Sequence, residues 1–230
     1  MPSSDPNSSK RTAAISFTGG KDSCLAFHLS QPTFHITHLV MFCPANMNKF
    51  LAHPRAIVQL QANTLNLPLK VMTIEGPDFL ECYRKRLQEL RDTGIEVLIT
   101  GDILDVCSNF MPRAASGILE LHRPLWDMPR DRILDLLRLH SFSVMITCAS
   151  ISKLGVEDAL WLVGERLDSP RVQSLLEGKP GVDRAGEMGE FHTMVLDAPA
   201  FQHRLEIDGE KRVEGDFVFF DFDEAMLVKK

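Results

Sequence analysis

The sequence has no long apolar run and no apolar leader segment. Its 230 residues contain no stretch near the roughly 18 consecutive apolar residues of a membrane-spanning helix, so we expect no membrane partner. The first residues, MPSSDPNSSKR, lack the apolar core of a secretory signal and predict a disordered tail over residues 1–11. We therefore expect a cytoplasmic protein.

Cysteines are few and scattered along the chain. An odd number of cysteines without a C-x-x-C pair is typical of reduced thiols, and it argues against a zinc cage or a cysteine-held iron–sulfur cluster. We expect most of them to be buried as small apolar side chains. The five are Cys24, Cys43, Cys82, Cys107 and Cys148.

The sequence also lacks a surplus of basic residues. It has 25 lysines and arginines against 31 aspartates and glutamates, a net charge of −6. Proteins that bind nucleic acid along its phosphates are normally basic, so we expect no nucleic-acid partner, although this charge allows one small basic pocket. A hydrophobic content of 44% and a charged content of 24% are typical of a folded globular chain.

The first half of the sequence alternates β-rich runs with amphipathic patterns. Nearly continuous apolar strands between helices indicate βαβ units and a parallel sheet covered on both faces. After a helix over Arg130–His140, we predict Val144–Cys148 as the fifth strand of this sheet. The first four predicted strands are Ala13–Phe17, Thr37–Phe42, Lys70–Ile74 and Val97–Thr100, and the helices between them are Ser23–Leu29, Ala56–Leu65 and Phe79–Arg91.

The second half has a different pattern. Val156–Arg166 and the start of Ser169–Gly181 are helical, and from Phe191 onward three runs resemble antiparallel strands, with one turn at Asp208–Gly209. The prediction is an α/β fold with a doubly wound, mostly parallel five-stranded sheet. We assign residues 12–122 to this nucleotide-binding domain and residues 123–230 to a smaller, mixed α+β region on the substrate side.

The most informative motif is TGGKDS, which follows the first predicted strand and opens the first helix. Gly19 and Gly20 allow the backbone to turn tightly and to present its N–H groups to an anion. The helix N-terminus behind them attracts negative charge. Lys21 adds a full positive charge, and the hydroxyls of Thr18 and Ser23 add donors. The loop therefore predicts a site for phosphate groups.

Asp22 is the unexpected member of this motif. A carboxylate beside phosphates is repulsive unless a divalent cation lies between them, so Asp22 predicts a Mg²⁺ ligand in a site for a magnesium-bound polyphosphate. The motif is neither a Walker A loop nor G-x-G-x-x-G. The competing interpretation is a glycine-rich turn with solvated polar side chains.

TGGKDS resembles the SGGKDS signature of the PP-loop ATP pyrophosphatases, the adenine-nucleotide α-hydrolase-like superfamily. GEMGEFHT at residues 186–193, continued by Asp197, Pro199 and Phe201, resembles the GE-x-GE-(Y/F)-x-T…D-x-P-x-F motif of its diphthine–ammonia ligase family. Further matches to that family are Gln61-Ala62, Leu67-Pro68-Leu69, Gly101-Asp102-Ile103, Pro124-Leu125-Trp126, Leu154-Gly155 and Gly164.

This resemblance implies a Rossmann-like (HUP) fold and an ATP-dependent amide ligase. An acceptor carboxylate attacks the α-phosphate of ATP, pyrophosphate leaves, and ammonia then displaces AMP. The implied partners are ATP with Mg²⁺, ammonia and a carboxylate acceptor, with diphthine on elongation factor 2 as the candidate. Lys21 and Asp22 would stabilise the leaving pyrophosphate. Gly101 would let the nucleotide approach, and Asp102 would contact metal or ribose unless it is a helix N-cap.

A second polar cluster consists of Glu187, Glu190 and His192. The two carboxylates could bind an ammonium ion and deprotonate the attacking amine, with His192 as a proton acceptor near neutral pH. The alternative is a solvated turn before an edge strand. The resemblance favours the catalytic interpretation.

Two segments depart from the family pattern. Asp105–Arg113 stands where the family carries an aspartate-tyrosine-glutamine-arginine run, and Ala185 stands where it often has a cysteine. A paralogue acting on another carboxylate or on tRNA, and an ATP-binding protein without catalysis, therefore remain alternatives. His53 is either a ligand contact or a helix-entry residue. The sequence predicts no oligomeric state.

Overall fold

The computed structural model describes residues 10–46, 51–105 and 107–230. Its strands are β1 (Thr12–Ser16), β2 (His35–Pro44), β3 (Leu69–Ile74), β4 (Val97–Ile99), β5 (Glu120–His122), β6 (Ser143–Ser150), β7 (Phe191–Asp197), β8 (His203–Glu214) and β9 (Phe217–Lys229). Its helices are α1 (Lys21–Ser30), α2 (Arg55–Leu65), α3 (Phe79–Asp92), α4 (Phe110–Ala115), α5 (Arg130–Leu139), α6 (Ile151–Leu154), α7 (Val156–Leu162) and α8 (Pro170–Glu177).

The first five strands form one parallel sheet in the order β3-β2-β1-β4-β5. Strand β1 is central, with β2 on one side and β4 on the other. Successive residues of β1 are buried on opposite faces: Ala13 and Ile15 face one core cluster and Ala14 faces the other. Burial on both faces is the reason why the strands of this sheet are nearly continuous apolar runs.

Helices cover both faces of the parallel sheet, which confirms the doubly wound α/β fold. On one face α1, α2 and α5 contribute to a large cluster that includes Leu25, Ile57 and Ile133. On the other face α3 and α4 supply Leu87 and Ala114 to a smaller cluster. Each helix therefore buries one apolar stripe, as an amphipathic helix in a layered α/β protein does.

The prediction of the fifth strand is wrong. Val144–Cys148 lies in β6, which belongs to a second, antiparallel sheet of order β7-β6-β9-β8. The fifth parallel strand is the three-residue β5, in which Glu120 is exposed. A run buried on both faces has the same sequence pattern in either kind of sheet.

The C-terminal region is built around a long β8–β9 hairpin. The turn predicted at Asp208–Gly209 is instead a bulge within β8, where the pairing register with β9 shifts. A Cβ at Gly209 would lie 2.0 Å from the carbonyl oxygen of Asp221, so only glycine fits there. The chain reverses after Glu214, at Gly215, which has a φ of +60°.

The two sheets share one core. The large cluster contains Phe17 and Leu25 from the first half together with Met194, Val195 and Phe201 from the second half. The parallel sheet ends with β5, and the predicted division at residue 122 stays a prediction. None of the helices within the described ranges is long and apolar enough to cross a membrane.

The predicted disordered tail falls largely on residues 1–9, which lie outside the described residues. Its last two residues are part of the fold. Lys10 donates to the carbonyl of Gln31 at 2.9 Å, and the guanidinium of Arg11 donates to Glu120 at 2.8 Å. The folded chain therefore includes Lys10 and Arg11.

Candidate active site

The TGGKDS loop lies where β1 ends and α1 begins, at the carboxyl edge of the parallel sheet. Gly19 has a φ of +77°, and a Cβ built on it would lie 1.9 Å from Oε1 of Gln61 on α2. A side chain at this position would therefore be both strained and obstructed. Gly20 is the N-cap of α1. This edge of a doubly wound sheet, beside the central strand, is where such folds bind ligands.

Contacts from both halves of the chain fix the loop. The carbonyl of Gly19 accepts hydrogen bonds from the amide of Val195 on β7 and from Nε2 of Gln61, both at 2.9 Å. Gln61 Nε2 also donates to the carbonyl of Val195 at 2.8 Å. The amide of Lys21 donates to Oγ1 of Thr193 at 3.1 Å. The antiparallel sheet thus sets the shape of a loop that belongs to the parallel sheet.

Lys21 connects the two predicted site motifs. Its side chain is buried, and its Nζ donates to Oδ2 of Asp22 at 2.7 Å and to Oε1 of Glu187 at 2.9 Å. Burial disfavours the charged form of this lysine, but the carboxylates of Asp22 and Glu187 outweigh it and raise the pKa of Lys21. Lys21 is therefore a cation held between two carboxylates.

Asp22 has a carboxylate oxygen that fits a divalent cation. Oδ1 of Asp22 is buried and has no hydrogen-bond partner, which is costly for a carboxylate oxygen unless an ion or ligand is bound to it. Burial, followed by the negative charge of Asp22, raises the pKa of Glu187, while Lys21 opposes this shift. No group of three or more His, Cys, Asp or Glu side chains within the described ranges could hold a metal ion. Mg²⁺ needs fewer, because it commonly uses one or two carboxylates together with phosphate oxygens.

Glu190 is in the predicted motif but does not face Lys21. It is 1% exposed, and its two carboxylate oxygens accept the amides of Asp183 at 3.0 Å and Met188 at 2.9 Å. Asp183 in turn accepts from the amide of Ala185 at 2.8 Å and from the guanidinium of Arg130 at 2.9 Å. The geometry gives Glu190 a positioning role, because it closes the tight loop that carries Glu187.

The two predicted hydroxyl donors differ in their surroundings. Ser23 is buried and its hydroxyl donates to the carbonyl of Gly20 at 3.1 Å, so it stabilises the first turn of α1. Thr18 lines a cleft that opens beside the loop. Of the two hydroxyls, that of Thr18 is therefore the better placed for a ligand.

Gly101 and Asp102 follow β4, next to the loop. A Cβ at Gly101 would lie 2.8 Å from the backbone carbon of Asp22, so this glycine lets the end of β4 pack against the start of α1. Asp102 is not a helix N-cap, because α4 begins only at Phe110. Its carboxylate accepts from the Thr100 hydroxyl at 2.8 Å, and burial raises its pKa against the opposing effects of that hydrogen bond and of Arg123.

A cleft of about 780 Å³ lies beside these contacts, between the carboxyl ends of β1 and β2 and the antiparallel sheet. This volume is in the range of small-molecule sites. Phe42 and Tyr83 line it from the parallel half, and their rings lie 4.9 Å apart. Phe217 and Phe219 line it from the β8–β9 hairpin. The cleft is therefore suited to a flat, partly apolar group attached to phosphates that the loop could hold.

Two histidines lie between the loop and the cleft. The rings of His53 and His192 are 5.3 Å apart and nearly perpendicular. Burial, together with His192, lowers the pKa of His53 to about 3, against a hydrogen bond with the backbone of Thr18. Desolvation of its ring lowers the pKa of His192. The positive charge of Lys21 lowers this pKa further, and the negative charge of Asp22 opposes the shift. His192 is exposed at the cleft, and both rings favour the neutral form.

Sequence reasoning missed several residues of this region. Gln61 and Thr193 appeared only as matches to family motifs, and their roles in holding the loop depend on contacts across the fold. The sequence did not identify the aromatic side chains that line the cleft, because phenylalanines in strands usually belong to a core. Residues 105–113, where the sequence departs from the family, include Asp105, whose carboxylate accepts the amide of Asn109 at 2.8 Å.

The parallel sheet, the glycine turn at its central strand and the lysine–aspartate pair that opens α1 together define the PP-loop class of α/β proteins. Comparisons with known families make this assignment more specific. The N-terminal domain model of diphthamide synthase matches residues 10–109, and its C-terminal domain model matches residues 131–228. The chain belongs to the diphthamide synthase family.

Comparisons with individual proteins add less. No curated protein matches the chain. Among solved structures, the chain is similar to the crystal structure of a predicted subunit of tRNA methyltransferase from Methanocaldococcus jannaschii. That similarity has a TM-score of 0.46 and a sequence identity of 15%, and it covers 82% of this chain and 98% of that one.

Proposed function

We propose that the chain is an AMP- and pyrophosphate-forming amide ligase, which uses ATP and ammonia to convert a carboxylate to an amide. The acceptor that fits its family best is diphthine on elongation factor 2, and its free cysteines support a cytoplasmic setting. The main support is the contact between Lys21 and Glu187 at 2.9 Å, which joins the TGGKDS loop to a partly buried carboxylate. ATP activation and amine chemistry would then take place at adjacent side chains.

In the first step the acceptor carboxylate attacks the α-phosphorus of ATP and the bond to pyrophosphate breaks. The Gly19–Gly20 turn and the N-terminus of α1 would hold the phosphates, and Lys21 would balance the charge that develops on the leaving pyrophosphate. Bound Mg²⁺ would neutralise phosphate charge, with Asp22 Oδ1 as its protein ligand. The aromatic cleft would hold the adenosine part and exclude water.

In the second step ammonia attacks the activated carbonyl and AMP leaves with the electrons of the broken C–O bond. The amine must lose a proton, and Glu187 is the carboxylate placed to accept it, because its pKa is raised and it is held rigidly by its loop. His192 favours its neutral form and is a second candidate acceptor. Glu190 would act through Glu187 rather than on the substrate.

The test is a reaction of the purified chain with radiolabelled ATP, Mg²⁺, ammonium and elongation factor 2 that carries diphthine. We expect AMP, pyrophosphate and amidated diphthine in equal amounts. ADP as the product would refute the mechanism. AMP formation with other carboxylates but not with diphthine would identify a paralogue with another acceptor, as the altered segment 105–113 allows.

A further inference from the structure

The ammonium group of Lys21 has the surroundings that a free ammonium ion would need. It lies between Oδ2 of Asp22 at 2.7 Å and Oε1 of Glu187 at 2.9 Å, and the lysine side chain is 5% exposed. Both distances are typical of strong charge-assisted N–H···O bonds. A magnesium ion would require oxygens at about 2.0–2.1 Å, so this gap is too wide for it.

The loop is held through the backbone of Lys21 and not through its charged end. Its backbone amide is held by Thr193, but its charge sits at the end of a flexible four-carbon stem. Lys21, Asp22 and Glu187 together carry a net charge of −1, which disfavours a bare polyphosphate. A bound triphosphate would attract the lysine, as phosphates attract the lysine of other phosphate-binding loops.

The backbone that carries Glu187 is held in place. Its loop turns at Gly186 and Gly189, which have φ values of +77° and +80°. Glu190 closes the loop by accepting two of its amides, and the carbonyl of Met188 accepts from Lys153. When the lysine moves, the carboxylate of Glu187 therefore stays in place with an unpaired charge, which is unfavourable in a partly buried site.

We propose that the position of Lys21 Nζ, between Asp22 and Glu187, is the binding site for an ammonium ion, which supplies the ammonia that the ligase consumes by losing one proton to solvent. This inference rests on the proposed function. In the absence of nucleotide, Lys21 occupies the site with its own ammonium group. Polyphosphate draws Lys21 away and the substrate ammonium replaces it between the same two oxygens. Oδ2 of Asp22 would then face the ammonium ion, and its Oδ1 would remain available to hold Mg²⁺.

This arrangement makes the two ligands cooperative. Ammonium binds well only after polyphosphate has removed the lysine, and by thermodynamic reciprocity ammonium must then tighten polyphosphate binding by the same factor. It also keeps ammonium from occupying the site before the acceptor can be activated.

The test is calorimetric titration of the full chain with magnesium pyrophosphate, in ammonium chloride or in sodium chloride at one ionic strength. We expect ammonium to lower the dissociation constant about fivefold or more. Glu187→Gln should abolish this ammonium effect. Glu157→Gln, an exposed charge change on α7, should leave it intact. An equal effect of potassium would overturn the ammonium assignment, as would a wild-type chain that does not respond to ammonium.

A second variant covers the case in which Glu187→Gln does not fold. Lys21→Ala leaves the two carboxylates without their cation, so ammonium should bind even without pyrophosphate. We expect its melting temperature to rise by about 2–4 °C in ammonium chloride relative to sodium chloride, with no such rise for the wild type. No rise would overturn the site. If neither magnesium pyrophosphate nor magnesium ATP binds any form of the chain, the proposed function fails first, which distinguishes the two failures.

Discussion

The two sheets of this protein differ in how they build their parts of the site. The parallel sheet supplies a loop whose members are consecutive in sequence, from Thr18 to Ser23, because a βα turn gathers glycines and a helix N-terminus in six residues. The antiparallel sheet supplies Glu187 and His192 from a tight loop and the strand that follows it. The TGGKDS loop can be recognised in the sequence. The importance of Glu187 and His192 becomes evident only when the fold brings them next to that loop.

The electrostatics of the two regions are also complementary. The loop of the parallel sheet has one cation, Lys21, and the antiparallel region brings Glu187 to it. This pair spans 166 positions of the chain. The site therefore depends on the contact between the two sheets, and substitutions on either side of that contact or at the contact itself would test this dependence.

The largest effect is expected on the parallel side. Asp22→Ala removes the proposed metal ligand, so we expect AMP formation to fall by about 10²–10³-fold with the fold intact. The control is Asp92→Ala, an exposed aspartate at the end of α3. The measurement is steady-state release of labelled AMP. A variant that keeps more than a tenth of the wild-type rate would exclude Asp22 from catalysis.

The next effect is expected on the antiparallel side. Glu190→Ala removes the acceptor of two loop amides and lets Glu187 shift, so amidation should fall by about 10²-fold while ATP binding is unchanged. The two measurements are kcat with saturating ammonium and ATP affinity by calorimetry. Glu190→Gln keeps one acceptor oxygen and should be intermediate. Weakened ATP binding in either variant would mean that Glu190 supports the whole site rather than one step.

The contact between the sheets is tested by Gln61→Leu. This change removes the donor to the carbonyls of Gly19 and Val195 in a fully buried position, so the free energy of unfolding should fall by about 1–3 kcal/mol. Gln59→Leu is a matched control, because it makes the same change on an exposed face of the same helix. Urea denaturation measures both variants. Equal effects would show that the loop does not need Gln61.

The last effect concerns pH. The pKa of His53 is lowered to about 3 in the folded state, below the unfolded value of about 6.5. Its contribution to stability is therefore complete above pH 6.5 and is lost as the pH falls from there towards 3, at no more than about 1.4 kcal/mol per pH unit. His53→Gln should flatten this dependence between pH 6.5 and 5, and His35→Gln should not. Denaturation midpoints across that range would decide, and parallel curves for wild type and His53→Gln would contradict the prediction.

Much of the parallel sheet could be predicted because its strands are buried on both faces and its helices are amphipathic. The bounds of α2 and α3 lie within one residue of the predicted ones. The short β5 was missed because three residues with an exposed Glu120 show no apolar run. Strand β6 was assigned to the wrong sheet, since burial alone does not distinguish parallel from antiparallel pairing.

The site could be predicted only in part. TGGKDS identified the loop because its chemistry is local, and the resemblance identified the GEMGEFHT segment. Neither revealed that Lys21 lies between Asp22 and Glu187, or that the carboxylate of Glu190 faces backbone amides. Those facts depend on contacts between residues far apart in sequence, for which neither periodicity nor composition carries information.

The carbonyl of Gly19 receives one donor from α2 and another from β7. The conformation of the loop is thus a property of the whole chain and not of the βα unit that contains it. A backbone cut between the sheets that let them separate would take away the β7 donor together with Glu187, even though every residue of TGGKDS survived. Loss of the proposed nucleotide affinity would then report separation of the halves sooner than loss of helical structure would.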